Sequence, residues 1–309
     1  MHESHGATVK LSVVIPCFNA SSTIGFQLEA LARQQWDQTW EVIVVDNNST
    51  DDTIERARAF EGHIPGLRVV TATARQGPAH ARNTGAATAL GESLAFCDAD
   101  DEVAPGWVAA MGTALEEHHF VAGKWELEKL NPPWVRTTRG AGQAHGLQQY
   151  TYPPYLPHAG GGSLGVRRKL HLEIGGFDES LRILEDTDYC WRLQLAGYEL
   201  TFVPDAVTHI RFRQTTRATF AQARGYGAYN VVLYRRYRRH GMPRLGWTRG
   251  AKVWIKLLLG LPHMFNWSRR SKWVRQFGWH LGRLEASVLC RTPVIQRKLI
   301  RPPKGLTRA

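Results

Sequence analysis

Cysteine is scarce in this chain of 309 residues: Cys17, Cys97, Cys190 and Cys290 lie scattered, without the short paired spacings of a zinc site or the density of a disulfide scaffold. Free thiols in a reducing compartment are expected. No apolar run approaches the roughly 20 residues that cross a bilayer. Residues 1–10 lack the basic stretch and apolar core of a secretory leader, so a cytoplasmic protein is expected. The first strand-like run leads into Pro16-Cys17-Phe18-Asn19 with no G-x-G-x-x-G, and G-x-x-x-x-G-K-[ST] does not occur, which excludes dinucleotide-dependent oxidoreductases and P-loop enzymes. Acids are almost missing from one end, because residues 211–309 hold 23 Lys and Arg against the single acid Glu285. Residues 1–210 carry 26 acids and 16 basic residues, so the net charge of +12 conceals two electrostatically opposite halves.

What is present begins with apolar runs. Leu11 to Ile15, ended by Pro16, and Glu41 to Val45, ended by Asp46, predict strands buried on both faces. Between them, residues 20–35 have helical apolar spacing at Ile24, Leu28 and Leu31, with Ser21 or Ser22 as N-cap. Ser49 or Thr50 caps a second predicted helix over 52–60, followed by a strand at 67–70, a third helix over 79–90 and a strand at 93–97. This alternation predicts an α/β fold with a parallel sheet flanked by helices. Ligands in such sheets bind beyond the carboxyl ends of the strands, where Pro16, Asp46 and Asp98-Ala99-Asp100-Asp101 all fall. Three like charges within four residues gain nothing from packing, whereas a divalent cation on oxygen ligands neutralises them and takes a diphosphate on its far side. A loop of solvated acids is the alternative.

Val13-Val14-Ile15-Pro16-Cys17-Phe18-Asn19, Val45-Asp46-Asn47-Asn48-Ser49-Thr50-Asp51, Gly77-Pro78-Ala79-His80-Ala81-Arg82-Asn83, Asp98-Ala99-Asp100-Asp101 and Glu185-Asp186-Thr187-Asp188 follow one another in an order that resembles the family 2 glycosyltransferases of GT-A fold, from about Lys10 to about Arg213. The resemblance implies a Rossmann-like, mainly parallel catalytic domain over 10–220, with a nucleotide-binding half at 10–101 and an acceptor-binding half at 102–220. An N-terminal tail, 1–9, precedes it and a basic helical appendage, 221–309, follows. It further implies inverting transfer of a sugar from a nucleotide diphosphate to a hydroxyl of a glycan, a lipid-linked or a small-molecule acceptor, with Mn²⁺ or Mg²⁺ as cofactor. Envelope polysaccharide, glycolipid and secondary-metabolite glycosylation are the settings it suggests.

Under that resemblance Pro16, Cys17, Phe18, Asn19, Gly77, Arg82, Asp98 and Ala99 lie around the nucleotide, Asp98 faces the ribose and Asp100 takes the metal. Asp46 can accept a hydrogen bond from the imide N3–H of uracil or thymine, which favours UDP or dTDP. Gly161, Gly162 and Ser163, the last where the family has Asn, are placed near donor sugar and acceptor. His209, with Arg211 and Arg213, binds the diphosphate, completes the metal shell or is structural. The segment 123–158, with Pro132, Pro133, Pro153, Pro154 and Pro157, reads as a long loop region that would carry acceptor specificity.

Helical geometry separates the acids of 185–188. A helix through Leu195 puts Asp186 on the apolar face with Cys190 and Leu193, while Asp188 has Arg192 at i+4 and reads as an ion pair. Inversion needs one base to deprotonate the acceptor hydroxyl, and Asp186 is the candidate. Glu185 contacts the acceptor or complements the helix N-terminus.

In the tail, residues 247–261 place Arg249, Lys252 and Lys256 opposite Ala251, Trp254, Ile255 and Leu258, and Trp273, Phe277, Leu281, Leu284 and Val288 form a second stripe. Basic amphipathic helices suit the surface of an anionic membrane. Packing on the catalytic domain or on another copy of the chain stays open, and no motif supports nucleic-acid binding. A sugar nucleotidyltransferase and a non-catalytic membrane or nucleic-acid adaptor are the rival functions; the first lacks its Gly-rich basic loop here, and the retained acids argue against the second.

Overall fold

The computed structural model describes residues 8–139, 142–150, 155–290 and 295–296, so residues 1–7 of the expected N-terminal tail and Pro153 and Pro154 of the predicted loop lie outside the described residues. The chain divides into two units, residues 1–149 with 156–218, and residues 150–155 with 219–309.

The first unit opens with β1 (Leu11–Cys17), α1 (Ile24–Ala32), β2 (Trp40–Asp46), α2 (Thr53–Arg58), β3 (Arg68–Thr71), α3 (Pro78–Thr88) and β4 (Ser93–Phe96). These strands pair in parallel in the order β3-β2-β1-β4. Val13, Ile15, Val42 and Val44 pack on one side with Leu28 and Leu31 of α1, and Val14, Ile43 and Val45 pack on the other with Ala81 and Ala86 of α3. Alternate residues are thus apolar on both faces, at about 1.5–3 kcal/mol for each large side chain withdrawn from water. The polar exception, Glu41, is buried on Arg68, Ser12 and the Leu90 N–H.

The chain continues through β5 (Glu102–Val103), α4 (Trp107–Glu117), β6 (Phe120–Glu126), α5 (Pro133–Arg139), β7 (Leu164–Arg167), α6 (Arg168–Glu173), α7 (Glu185–Leu195) and β8 (Thr201–His209). Eight strands form one sheet in the order β3-β2-β1-β4-β7-β6-β8-β5. Here the expected parallel pattern breaks: β7 runs antiparallel to both β4 and β6, and β5 antiparallel to β8, while β6 and β8 are parallel.

Several local expectations need correction. Pro16 does not end β1, which pairs with β2 as far as Cys17 opposite Asp46. Val14 O accepts from Cys97 N–H on the β4 side, and by strand alternation Pro16 faces that same side, where pairing with β4 has already stopped at Val14. Its missing N–H therefore costs nothing. Ser21, Ser22, Ser49 and Thr50 do not cap helices; Asp51 instead accepts from the N–H groups of Ser21 and Thr53 at 3.1 Å each. Pro133 opens a helix within the region read as loop, in keeping with the preference of proline for the first helical turn. All four cysteines are free.

The second unit is built on α8 (Thr216–Tyr237), which begins at the boundary, α9 (Trp247–Leu259) and α10 (Trp267–Leu289). α8 and α10 cross at small residues. A Cβ on Gly282 would lie 1.9 Å from Arg224 O, and one on Gly227 2.0 Å from Trp279 O, so the two backbones touch. Glu285 joins Arg224 across the same pair through two contacts of 2.7 and 3.1 Å. Of the predicted apolar stripes, Trp254, Trp273 and Phe277 pack on one another, with Trp273 stacked on Phe277 at 5.1 Å, whereas Ile255, Leu258, Leu284 and Val288 are exposed. No helix among the described residues is long and apolar enough to cross a membrane.

Candidate active site

Register alone brings the ends of β1, β2 and β4 together. Asp46 sits opposite Cys17, and Cys97 N–H bonds to Val14 O one step before Asp98. The Cys17 thiol is raised by burial and then by the charges of Asp46, Asp98 and Asp100, so these carboxylates reach one spot. Pro16 and Phe18 flank Cys17 in the chain and Ala99 follows Asp98; Ala99 is buried and Phe18 exposed.

The loops around this spot are tied by side chains. Asn19, at φ 49°, accepts from Thr50 N–H at 2.8 Å, and its own N–H bonds to Ser49 Oγ at 3.0 Å. Asp46 accepts from Ser49 N–H at 3.3 Å. Asn47, not foreseen as a site residue, donates to Ala72 O and to Arg75 O and accepts from Gly77 N–H at 2.7 Å, which fixes the approach to α3. Gly77 has φ 143°, a region that only glycine enters at little cost. Gln27 on the buried face of α1 was also missed: its amide donates to Asp98 O and accepts from Val103 N–H, bracing both sides of the acidic turn. A polar residue interrupting the stripe of Ile24, Leu28 and Leu31 was the available signal.

Arg82 is the hub. It is buried on α3 and donates to Asp98 Oδ1 at 2.7 Å and to Glu185 Oε1 at 2.9 Å. Gly161 and Gly162 press against this network. A Cβ on Gly161 would meet the guanidinium at 2.7 Å, and one on Gly162 would meet Asp98 Oδ2 at 2.6 Å. Gly161 N–H also donates to Asp186 Oδ2 at 3.1 Å, and Thr187 N–H to Asp186 Oδ1 at 2.6 Å. Ser163 faces elsewhere: its buried hydroxyl lies 3.3 Å from Thr208 Oγ1 inside the sheet.

α7 begins abruptly after Leu184, a non-glycine residue at φ 62°. Strain of this kind, about 1–3 kcal/mol, persists where the surroundings over-determine the backbone. Burial and the neighbouring Asp186 charge push Glu185 up to about 7, against the opposing pull of the Arg82 guanidinium. Burial raises Asp186 as well. Asp188, expected to lie off the inward face, is the more deeply buried of the two, and pairs with Arg192 at 2.8 Å.

Asp98, Asp100 and Asp101 offer ligand oxygens within 4.8 Å of one another. Asp100 and Asp101 are raised by burial and then by neighbouring carboxylates. A set of hard oxygens of which Arg82 pairs with Asp98 alone, while Asp100 and Asp101 stay raised by burial and by neighbouring carboxylates, fits Mg²⁺ or Mn²⁺. Asp101 belongs to this group, while its Oδ1 accepts from Arg211 N–H at 2.7 Å. His209 is not in that set; its Nδ1 lies 2.5 Å from Glu126 Oε2.

The glycosyl transferase family 2 description matches residues 12–175, and that of glycosyl transferase family group 2 matches residues 136–289. An uncharacterized glycosyltransferase of Haemophilus influenzae is 26% identical over 268 residues, 84% of this chain and 87% of that protein. The pre-mycofactocin glycosyltransferase of Mycobacterium tuberculosis is 27% identical over 260 residues, 81% of this chain and 53% of that protein. Among solved structures, a mannosyltransferase from Pyrobaculum calidifontis in complex with GDP-Man and Mn²⁺ aligns with a TM-score of 0.61 at 19% identity, over 90% of this chain and 88% of that one. Residues 1–349 of Staphylococcus aureus TarS in complex with UDP-GlcNAc align with a TM-score of 0.55 at 18% identity, over 92% of each chain. At such identities the likeness is one of fold, the GT-A fold. With a family match across more than half of its length, covering the strands and helices that gather Asp46, Arg82 and Asp98, the chain belongs to glycosyl transferase family 2.

Proposed function

We propose that this glycosyltransferase moves a sugar from a nucleotide diphosphate, by preference a uridine or thymidine one, to a hydroxyl group with inversion at the anomeric carbon. One observation carries the reading: the Arg82 guanidinium spans Asp98 at the end of β4 and Glu185 at the start of α7, so a donor-side acid and an acceptor-side acid share a single cation. Asp46 supports the choice of base, since an ionised carboxylate accepts from a pyrimidine imide and finds no such donor on adenine. The similar solved structures hold UDP-GlcNAc and GDP-Man, so fold alone does not choose the base.

Asp98, Asp100 and Asp101 would hold Mn²⁺ or Mg²⁺, and the cation would neutralise the diphosphate as it leaves. Asp186 takes the proton of the acceptor hydroxyl while that oxygen attacks the anomeric carbon from the side opposite the diphosphate; the new C–O bond forms as the old one breaks. Asp188 is held by Arg192 and Glu185 by Arg82, whereas Asp186 is met by the N–H groups of Gly161 and Thr187 and by the Thr187 hydroxyl, with a proton affinity raised by burial. The acceptor is a glycan, lipid-linked or small-molecule hydroxyl, and the enzyme works in the cytoplasm with peripheral contact to an anionic membrane.

A panel of UDP-, dTDP-, GDP- and ADP-sugars tests this through release of nucleoside diphosphate without acceptor. A uridine or thymidine donor should turn over fastest, and Asp46→Ala should reduce that preference by about 1–3 kcal/mol, roughly 5- to 150-fold, the cost of an unpaired buried donor. Release of pyrophosphate instead would make the enzyme a nucleotidyltransferase. An unchanged base preference in the variant removes Asp46 from the site.

A further inference from the structure

α9 presents two kinds of surface to solvent at once. Gly250 and Leu257 turn inward, and Leu257 O accepts from the Trp273 indole at 3.0 Å. On the outward arc Ile255, Leu258 and Leu259 form an apolar strip, and the turn that follows adds Leu261 and Phe265. Leu259 is 78% exposed and Phe265 94%, values far outside what large apolar side chains show when they serve a core. Beside the strip on the same arc stand Lys252 and Lys256, both exposed. No acid occurs between Trp247 and Phe265, and from Thr219 to Ala309 Glu285 is the single one against 20 Lys and Arg.

A contiguous apolar face of this kind marks an interaction site. A second copy of the chain, seated face to face, would set Lys252 and Lys256 against their own counterparts with no acid in the segment to receive them. A nucleic acid would satisfy the lysines but offer nothing to Leu258, Leu259 and Phe265. An anionic bilayer matches both halves: apolar side chains enter the headgroup and acyl boundary to a depth of about 5–10 Å while the lysines stay at the level of the lipid charges.

We infer that α9 and the Leu261–Phe265 turn form an interfacial docking face for anionic lipid, with Ile255, Leu258, Leu259, Leu261 and Phe265 as the inserted side chains. The inference gives a residue-level form to the peripheral membrane contact proposed above and is independent of sugar transfer. The anchors are not the tryptophans that sequence would nominate, because Trp254 and Trp273 pack around Phe277 inside the unit.

The test is sedimentation of the full chain with vesicles of phosphatidylcholine, with and without phosphatidylglycerol. The chain should pellet with the anionic vesicles and leave them as salt screens charges beyond about 10 Å at 0.1 M. Leu258→Ser/Leu259→Ser/Phe265→Ser should weaken binding about tenfold or more even at low salt, while Lys252→Glu/Lys256→Glu should erase the preference for anionic lipid. Because all five side chains are exposed, thermal melts and acceptor-free donor turnover should match the wild type. Indifference of the intact chain to anionic vesicles, or unchanged pelleting of the serine variant, would overturn the inference. So would a dimer in sedimentation velocity that the serine variant abolishes, or a duplex DNA that binds both proteins equally and displaces the vesicles. Retained donor turnover in those cases leaves the transferase reading standing, and a donor panel without any turnover strikes that reading while leaving vesicle binding to be judged on its own.

Discussion

On α7, Asp188 is sealed against Arg192, whereas Asp186 accepts N–H bonds from Gly161 and Thr187 and pairs with no cation among the described residues. The two substitutions should therefore fail differently. Asp186→Asn should keep donor affinity and stability and lose transfer by about two to four powers of ten, the usual range for a positioned general base. Asp188→Asn removes one partner of a buried pair and should lower stability by roughly 3 kcal/mol, read in urea melts, with the surviving folded enzyme still turning over. The reverse pattern would hand the base to Asp188. Asp100→Ala tests the acidic cluster: calorimetry should find UDP binding that depends on Mn²⁺ in the wild type and no such dependence in the variant, and equal affinity with and without chelator in the wild type would dismiss the metal. The positions of Asp46, Asp98 and Asp100 beyond strand ends were legible in sequence because each follows an apolar run that fixes where it emerges, whereas Asp186 was placed only by its helical spacing from Cys190 and Leu193. Asn47 and Gln27 were not, because each acts on backbone groups 25 or more residues away, and nothing local marks such partners.

Glycines inside two helices respond to opposite forces. Gly282 of α10 has Arg224 O 1.9 Å from where its Cβ would be, while Gly25 of α1 has nothing within 4 Å. Ala gains up to about 1 kcal/mol of helix propensity at either site, but at Gly282 overpacking costs about 1–3 kcal/mol against rigid backbone. Gly25→Ala should raise the melting temperature and Gly282→Ala should lower it; a stabilised Gly282→Ala would mean that α8 and α10 do not cross as described. The parallel half of the sheet was readable because two-sided burial makes β1, β2 and β4 continuous apolar runs. The antiparallel half was not: β5 and β7 have 2 and 4 residues, too few for any period, and their direction is set by partners distant in sequence.

Over the whole molecule, buried titrating groups set the response to pH. His158, His171 and His280 are pushed down to about 4, chiefly by burial. Their folded values lie below the unfolded 6.5, so the stability they contribute is complete above that pH and lost as pH falls toward 4, by at most on the order of 3 kcal/mol each for His158 and His171 and by less for the part-exposed His280. Glu185 runs the other way. With its folded value raised from 4.5 to about 7, its contribution is present below 4.5 and lost as pH rises through 7. Melting temperature should climb from pH 4 to 6.5, and Glu185→Gln should gain on the wild type between pH 4.5 and 7, since Gln stays neutral. A difference between the two proteins that does not move with pH would mean that Glu185 is ionised throughout. Arg82 also has a bearing on exchange between relatives. A chimera joined after Asp101 would graft a foreign second segment onto the β1–β4 half of the sheet, and the graft would take only if the incoming segment supplied a carboxylate where Glu185 stands and side-chain-free backbone where Gly161 and Gly162 lie on Arg82 and Asp98. Interchangeability of such segments is thus rationed by one guanidinium, whose required partners can be screened for in a sequence before any chimera is made.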